Sequence, residues 1–488
     1  MTSVLGGDRL FEVEMGEAED PKAAPAGEAK TFRRYDQNQC FLLPPSLDEW
    51  LDEDDEARFV SEVVEHLLDL SPIYSSYESA SGAPPYAPRM MLKLLVYGYA
   101  TGVTSSREIE RRVKRDLAFR WLAANEAPDY RSISRFRRRH LDALQPLFLQ
   151  VLGLCATAGL VSLGRVALDG TKLLANASRH KAMSYDHIVP KIDQLQAEVD
   201  AMLAEAEAVD TAEDEAYGED RRGDEIAPEL RRRESRLEKL WAAKEAIEAE
   251  ACEKAERDAR KKAEAAGKSE EEVTAAGVAA AEKAKPKGSA QRNFTDPASR
   301  MMKTNQGYAY AFNAQAVVDE QSQVVLAGEV TQEAADVNQL IPMTEKTEEN
   351  LAEAGISGSP KTLLADAGYC SEDNLEAAES LKPDVLCATG RQRHGEEFQT
   401  TPRGPVPKHA TRRETMARRL RTKKGRADYA RRKVIVEPVF GQVKVRQHAG
   451  QLRLLGLAGA QGEWTLHMIC HNLRKLRNAG GIASFACG

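Results

Sequence analysis

Spacing of apolar and polar positions divides the chain into three kinds of text. From residue 41 to about 150, apolar residues recur at helical intervals, as in SEVVEHLLDL and RMMLKLLVYGYATG, with breakers at Pro72, Pro84, Pro85 and Pro88. This predicts a compact all-α domain over 41–150. Within it, Ser105 or Ser106 can cap a helix through REIERRVKRDLAFRWLAA, and NEAPDY makes a turn. Ser132 or Ser134 can then open a basic helix through RFRRRHLDALQPLF. Helix, turn and basic helix suggest a nucleic-acid reader with Arg135, Arg137, Arg138 and Arg139 as its contacts; a bundle with a charged surface is the alternative.

VSLGRVALDGTKL (161–173) reads as a short strand ending in Asp169. From 184 to 290 the text turns to Ala, Glu, Lys and Arg with one polar break at AYGEDRRGDEIAP, the composition of a helical hairpin projecting from a domain. Ile192, Leu195, Val199 and Leu203 on one arm and Leu230, Leu237, Leu240 and Ile247 on the other are spaced as coiled-coil seam residues, while 251–288 is thin in large apolar side chains and is expected to fray. The text then becomes strand-like: YAYAFNAQAVVD (308–319) and QVVLAGEVT (323–331) form a predicted hairpin. A helix from about Val337 to Ala354, a strand Lys361–Ala365 ending at Asp366, a helix from Ser371 and a strand over 384–389 follow. With the insert excised, the order is that of a mixed sheet with helices on its faces.

Charge sharpens this picture. The net charge of −8 conceals a segregation of sign: Arg403 to Arg453 holds 16 Lys and Arg against 3 Asp and Glu, Arg107 to Arg139 holds 11 against 5, and 184–290 holds 18 against 28. Two basic blocks around an acidic insert suit a polyanionic ligand, and the acidic balance of the insert favours a protein contact there. No apolar run approaches the length that spans a bilayer, so no membrane role is expected. Residues 1–40 lack a basic flank leading into an apolar stretch and read as a flexible segment, and 479–488 form a C-terminal tail. Seven cysteines, scattered and without a C-x-x-C pair, argue against a disulfide framework or zinc site and fit a reducing cytoplasm.

The chemistry rests on three acids. Asp169 and Asp366 end strands, and Glu437 lies in VIVEPVFGQVKV at the entry to a helix. Side chains at the carboxyl ends of strands line the functional edge of an α/β sheet. Two Asp and one Glu there are hard oxygen ligands for two Mg²⁺ or Mn²⁺ ions, which can serve phosphoryl transfer. Each acid alone is weak evidence, because an Asp beside Gly is also an ordinary turn residue. Asn313 and Gln315 share one face of a strand near this edge, where they could orient a phosphate or a carboxylate. His448, His467 and His471 could suggest a base or a metal site, but the pair His467 and His471, four apart in a helix, lacks a third ligand and reads as packing, and Trp464 reads as core rather than as a stacking platform for a base.

Four blocks, VALDGTKLLANAS (166–178), DPASRMMKTNQGYAYAFNAQAVVDE (296–320), LLADAGYCSEDNL (363–375) and YARRKVIVEPVFGQVK (429–444), resemble in order the catalytic domain of bacterial insertion-sequence transposases of the DDE superfamily. PRMMLKLLVYGYATGVTSSREIERRVKRDLAFRWLA (88–123) with ISRFRRRHL resembles the helical N-terminal domain of the same group. The resemblance implies a ribonuclease-H-like core over 161–183 and 291–478, with Asp169, Asp366 and Glu437 as metal-binding triad. It implies double-stranded DNA, transposon ends and target, as substrate, and a homodimer in the active complex. Around the Glu, the family's Tyr, Arg, Glu, Lys signature matches Tyr429, Arg432 and Lys444 as phosphate contacts; the spacing to the Arg is one residue long, leaving Arg431 as the other candidate. A DNA-binding regulator without catalysis and a nuclease without strand transfer are the competing readings.

Overall fold

The computed structural model describes residues 46–77, 84–217, 228–390, 404–407 and 409–480, with side chains of 205–230 left aside. The expectations for residues 1–40, Leu230 and the tail 481–488 lie outside the described residues or side chains.

The N-terminal part is helical, as predicted: α1 (Leu47–Trp50), α2 (Glu56–Glu62), α3 (Ser71–Tyr74), α4 (Pro88–Ala100), α5 (Ser106–Arg115), α6 (Leu117–Leu122), α7 (Tyr130–Arg139) and α8 (Leu141–Thr157). Its boundaries differ from those expected because Asp116 and Asp129, not the expected serines, do the capping there. Asp116 turns extended and accepts from the Ala118 and Phe119 amides, which splits the predicted long helix into α5 and α6. Asp129, not Ser132 or Ser134, caps α7 through the Arg131 and Ser132 amides. An acceptor at the N-cap satisfies amides that have no partner within the helix.

Then come β1 (Arg165–Leu174), β2 (Ala182–Ser184), α9 (Tyr185–Tyr217), α10 (Pro228–Ala265), α11 (Glu270–Glu282), β3 (Gln291–Asn293), β4 (Arg300–Thr304), β5 (Gly307–Asp319), β6 (Val325–Thr331), α12 (Leu340–Glu353), β7 (Thr362–Ala365), α13 (Glu372–Ala377), β8 (Asp384–Cys387), α14 (Arg412–Leu420), α15 (Lys423–Arg446) and α16 (Gly456–Asn478). The sheet runs β4-β5-β1-β7-β8 with β6 on β5. β5 and β6 form the predicted antiparallel hairpin, and β1, β7 and β8 are parallel. β2 and β3 pair with each other at the base of the insert.

One apolar core runs from the N-terminal helices through the sheet. Helix α16 is its shared wall. Trp464, Leu466, Ile469 and Leu473 are buried, and Gly328 on β6 has no room for a Cβ against Met468 and Trp464. Tyr99 links the layers, accepting from Arg137 Nη1 at 2.6 Å and donating to Glu463 Oε1 at 2.9 Å. The insert has its own small core of Ile188, Ile192, Leu195, Leu237, Leu240, Ala243 and Ile247, with Val199 also buried; Leu203 is exposed. Residues 251–288 do not fray as expected: α10 continues to Ala265 and α11 folds back on it, opened by a Ser269–Glu272 capping box. Small side chains permit that close return, since a Cβ on Gly277 would stand 2.8 Å from Arg260 Cγ. Nor does α10 project free of the sheet: Arg257 reaches Glu333 at 3.8 Å and Lys261 pairs with Asp373.

Candidate functional site

Asp169 does not end its strand, as the sequence suggested, but sits in the middle of β1. What ends there is the pairing with β7. The last parallel pair is Leu168 with Ala365, so Asp169 and Asp366 are the next residues on neighbouring strands. On its other side β1 stays paired with β5 as far as Leu174, which holds Asp169 in extended backbone while β7 turns away at Asp366. Asp366 accepts from the Gly368 amide at 2.7 Å, and the Cys387 thiol at the end of β8 donates to the Asp366 carbonyl at 3.0 Å.

Glu437 arrives from α15, which begins well before the expected helix entry. Beyond Gly425 in its first turn, the buried positions of α15 are Arg432, Ile435, Val436, Val439, Phe440 and Val443, a helical stripe laid on the sheet. An arginine thus occupies the first place of an apolar stripe. Its Nη1 donates to Asp169 Oδ2 at 2.8 Å, and Nη2 stands 3.7 Å from Glu437 Oε1. Pro438 has no N–H to give to the Val434 carbonyl one turn back, and Gln323 Nε2 donates to that carbonyl instead at 2.9 Å. The helix therefore continues unbroken through Glu437.

Burial pushes the Asp169 carboxyl up to about 6, with the Asp366 charge adding and Arg432 and the Gly170 amide opposing. For Arg432, burial acts against the charged form, yet Asp169, Tyr429 and Asp366 together outweigh it and the guanidinium is held above its usual range. Burial raises Tyr429, one turn before Arg432, to about 12. Lys444 is half-buried, which lowers its pKa, and Nζ donates to the Lys172 carbonyl at 3.3 Å. Arg431 faces away from the acids: it pairs with Glu320 at 2.7 Å, beside the Arg165–Glu320 pair. Between the two candidate arginines, Arg432 is the one beside the carboxylates.

On the opposite face of β1, Asn313 and Gln315 join three side chains that the sequence does not single out, Asp336, Lys172 and Tyr369. Asp336 accepts from Asn313 Nδ2 at 2.7 Å, Gln315 Nε2 at 2.9 Å and Lys172 Nζ at 3.3 Å, and Tyr369 donates to Gln315 Oε1. Asn313 and Gln315 do orient a carboxylate, but of a residue the sequence did not single out. Asp336 precedes a helical run and reads there as a common cap, yet its side chain makes no capping bond. Gly170 makes room for the cluster: a Cβ there would meet Gln315 Nε2, with Asp336 Oδ1 at 2.8 Å.

The N-terminal arginines divide. Arg135, Arg138 and Arg139 are exposed, with Arg139 over the Tyr77 ring. Arg137 corrects the expectation: it is buried, donating to Tyr99 and, at 2.9 Å, to the Thr104 carbonyl, so it is a structural residue. His467 meets Gln447 Oε1 at 2.8 Å and His471 meets the Gln323 carbonyl at 2.9 Å; burial lowers them to about 3 and about 4, neutral packing residues as expected. Trp464 is core and donates to the Gln315 carbonyl at 3.1 Å.

Among the described residues no three His, Cys, Asp or Glu side chains stand as a ready metal cluster. Arg432 lies between Asp169 and Glu437. The donor chemistry nevertheless fits a hard cation: two carboxylates meet at adjacent strand positions, one with its pKa raised by burial and by its neighbour's charge, and a third is reached through one arginine. Among the described residues no helix is long and apolar enough to cross a membrane.

Residues 45–139 match the family described as Transposase domain (DUF772), and residues 281–473 match the family described as Transposase DDE domain. No curated protein and no solved structure matches the chain. Asp366 and Glu437 fall within the second match, whereas Asp169 lies between the two matches and is brought to them by the pairing of β1 with β7 and by its ion pair with Arg432. With an N-terminal transposase domain followed, beyond the helical insert, by a DDE domain, the chain belongs to the DDE transposase superfamily.

Proposed function

We propose that this protein is a DNA transposase that cuts and rejoins the DNA backbone on a ribonuclease-H-like core, with Asp169, Asp366 and Glu437 as the residues that hold Mg²⁺ or Mn²⁺. The observation that carries the reading is the side-by-side placement of Asp169 and Asp366 beyond the last β1–β7 pair. A bound divalent ion would supply Lewis-acid stabilisation of charge at phosphorus and an acidified water or 3′-hydroxyl. The chain itself supplies orientation. Arg432 and Lys444, on the same helix as Glu437, offer cationic donors to phosphate oxygens, and Tyr429 keeps its proton to about pH 12 and can donate from its hydroxyl. Arg135, Arg138 and Arg139 are exposed on α7 and can position the duplex through its phosphates. Transposon ends and target are the DNA substrates in this reading, and joining two ends calls for a homodimer.

Arg432 is the residue that must change partners. In the metal-free site it compensates Asp169 and stands near Glu437; an incoming phosphate can take the guanidinium and release both acids. Cleavage of an end-labelled DNA duplex carrying the element's terminal repeats, with Mg²⁺, tests the reading. Wild type is expected to cut, and Asp366→Ala to lose at least a thousandfold in rate. Equal cutting by both proteins would sink the assignment.

A further inference from the structure

Every donor that reaches the Asp336 carboxylate among the described residues converges on one of its two oxygens. Asn313 Nδ2, Gln315 Nε2 and Lys172 Nζ all go to Oδ1, at 2.7, 2.9 and 3.3 Å. That fixes the carboxylate plane and leaves Oδ2 without a donor. Oδ2 looks across Gly368: it lies 3.5 Å from where a Cβ on that glycine would stand, and Asp366 Oδ1 lies 2.9 Å from the same point. Asp336 is partly exposed, and a second oxygen nearby, fully enclosed, also lacks a donor. Asn313 is fully buried, and its Oδ1 has no hydrogen-bond partner. It stands over Gly170 beside Asp336, 3.1 Å from that glycine's Cβ position, with Asp336 Oδ1 at 2.8 Å. Carboxylate and amide oxygens lacking donors are the ligands that hard divalent cations take, and a buried acceptor such as Asn313 Oδ1 seldom goes unsatisfied. Simple neutralisation of Lys172 does not account for the arrangement, because Lys172 is the most distant of the three donors and uses the oxygen already filled.

We propose that Asp336 is a fourth metal-binding carboxylate, sharing a second divalent cation with Asp366; this rests on the metal-dependent reading above. Asn313, Gln315 and Lys172 act as positioning residues that aim Oδ2, and Gly368, lacking a Cβ, leaves the gap between the two acids open.

Mn²⁺ titration of the full chain by calorimetry, with electron paramagnetic resonance of the bound ions, tests this. Asp336→Asn retains an oxygen for the three donors and replaces only Oδ2. Wild type is expected to bind two ions with a coupled spectrum. Asp336→Asn should bind the second at least tenfold more weakly and lose the coupling, and Asp366→Asn should weaken both. Asp336→Glu, which keeps the charge but displaces the oxygen, should weaken the second ion several-fold and serves if the Asn variant fails to fold. Wild-type binding by the folded Asp336 variants, with loss in Asp366→Asn, overturns the role of Asp336 and leaves the triad standing. A wild-type protein that binds no Mn²⁺ overturns both.

Discussion

Arg432 and Asp169 form an ion pair of 2.8 Å at the sheet edge, with side chains only 9% and 19% exposed, although 263 residues separate them in the chain. The pair joins α15 to β1 and, through the second guanidinium nitrogen, approaches Glu437. It is at once a structural contact and the charge balance of the candidate site.

Removing that guanidinium leaves a mostly buried carboxylate without its cation. Arg432→Ala is expected to lower unfolding stability by about 1–3 kcal/mol, less than for a fully ionised pair because Asp169 can take up a proton. Arg431→Ala breaks a half-exposed pair with Glu320 and should change stability by about 0.5 kcal/mol or less. Urea melts of the two variants, with DNA cleavage alongside, separate the arginines: the reading expects activity to fall steeply in Arg432→Ala and to persist in Arg431→Ala, and the reverse ranking would overturn it.

The Asp169 carboxyl makes the metal-free protein sensitive to mild acid in a definite direction. Its pKa rises from 3.8 to about 6 on folding, chiefly through burial, so the folded state holds a proton that the unfolded chain has already released. Stability from this group is complete below 3.8 and is lost as pH rises to about 6. Relative to Asp169→Asn, wild type should lose up to about 3 kcal/mol across that interval and nothing more above it. A flat difference between the two proteins, measured by denaturant melts with chelator present, would show that Asp169 titrates normally.

Gly170 is required by packing rather than by backbone conformation. A methyl group there meets the Gln315 amide and comes within 2.8 Å of Asp336 Oδ1, so the cluster must part. Gly170→Ala is expected to cost about 1–3 kcal/mol. Calorimetric melting temperature checks it, and an unchanged value would mean that the cluster yields freely.

The insert rests on the functional edge through the Arg257–Glu333 and Lys261–Asp373 pairs, whose basic side chains are 67% and 71% exposed. Exposed pairs contribute about 0–1 kcal/mol, so Lys261→Glu should leave global stability almost unaltered. It should loosen local packing: amide exchange over 366–375 is expected to accelerate. Exchange indistinguishable from wild type would show that α10 merely lies nearby.

Much of this architecture was legible from local pattern. Alternation in YAYAFNAQAVVD and QVVLAGEVT specified the β5–β6 hairpin, and seam spacing specified the α9–α10 pair, because both depend on neighbours close in sequence. Cap positions were misread where Asp competed with Ser, as at Asp129, since either oxygen can satisfy the same amides. Arg137 reads as a surface residue in the sequence because a run of arginines carries no mark of which one turns inward; Tyr99 and the Thr104 carbonyl, distant in the chain, decide it.

What the sequence by itself determined was the set of blocks: helical N-terminal domain, interrupted sheet, basic C-terminal region and the three acids with their family resemblance. Tertiary structure alone decided which atoms meet. It put Asp169 within β1 rather than at its end, placed Arg432 against Asp169 and Arg431 against Glu320, and brought Asp336 beside Asp366 with one oxygen clamped and one open. The reason is physical. Periodicity reports which face of an element is buried, whereas the pairing of β1 with β7 and the laying of α15 across them depend on contacts among segments hundreds of residues apart, which no local pattern encodes.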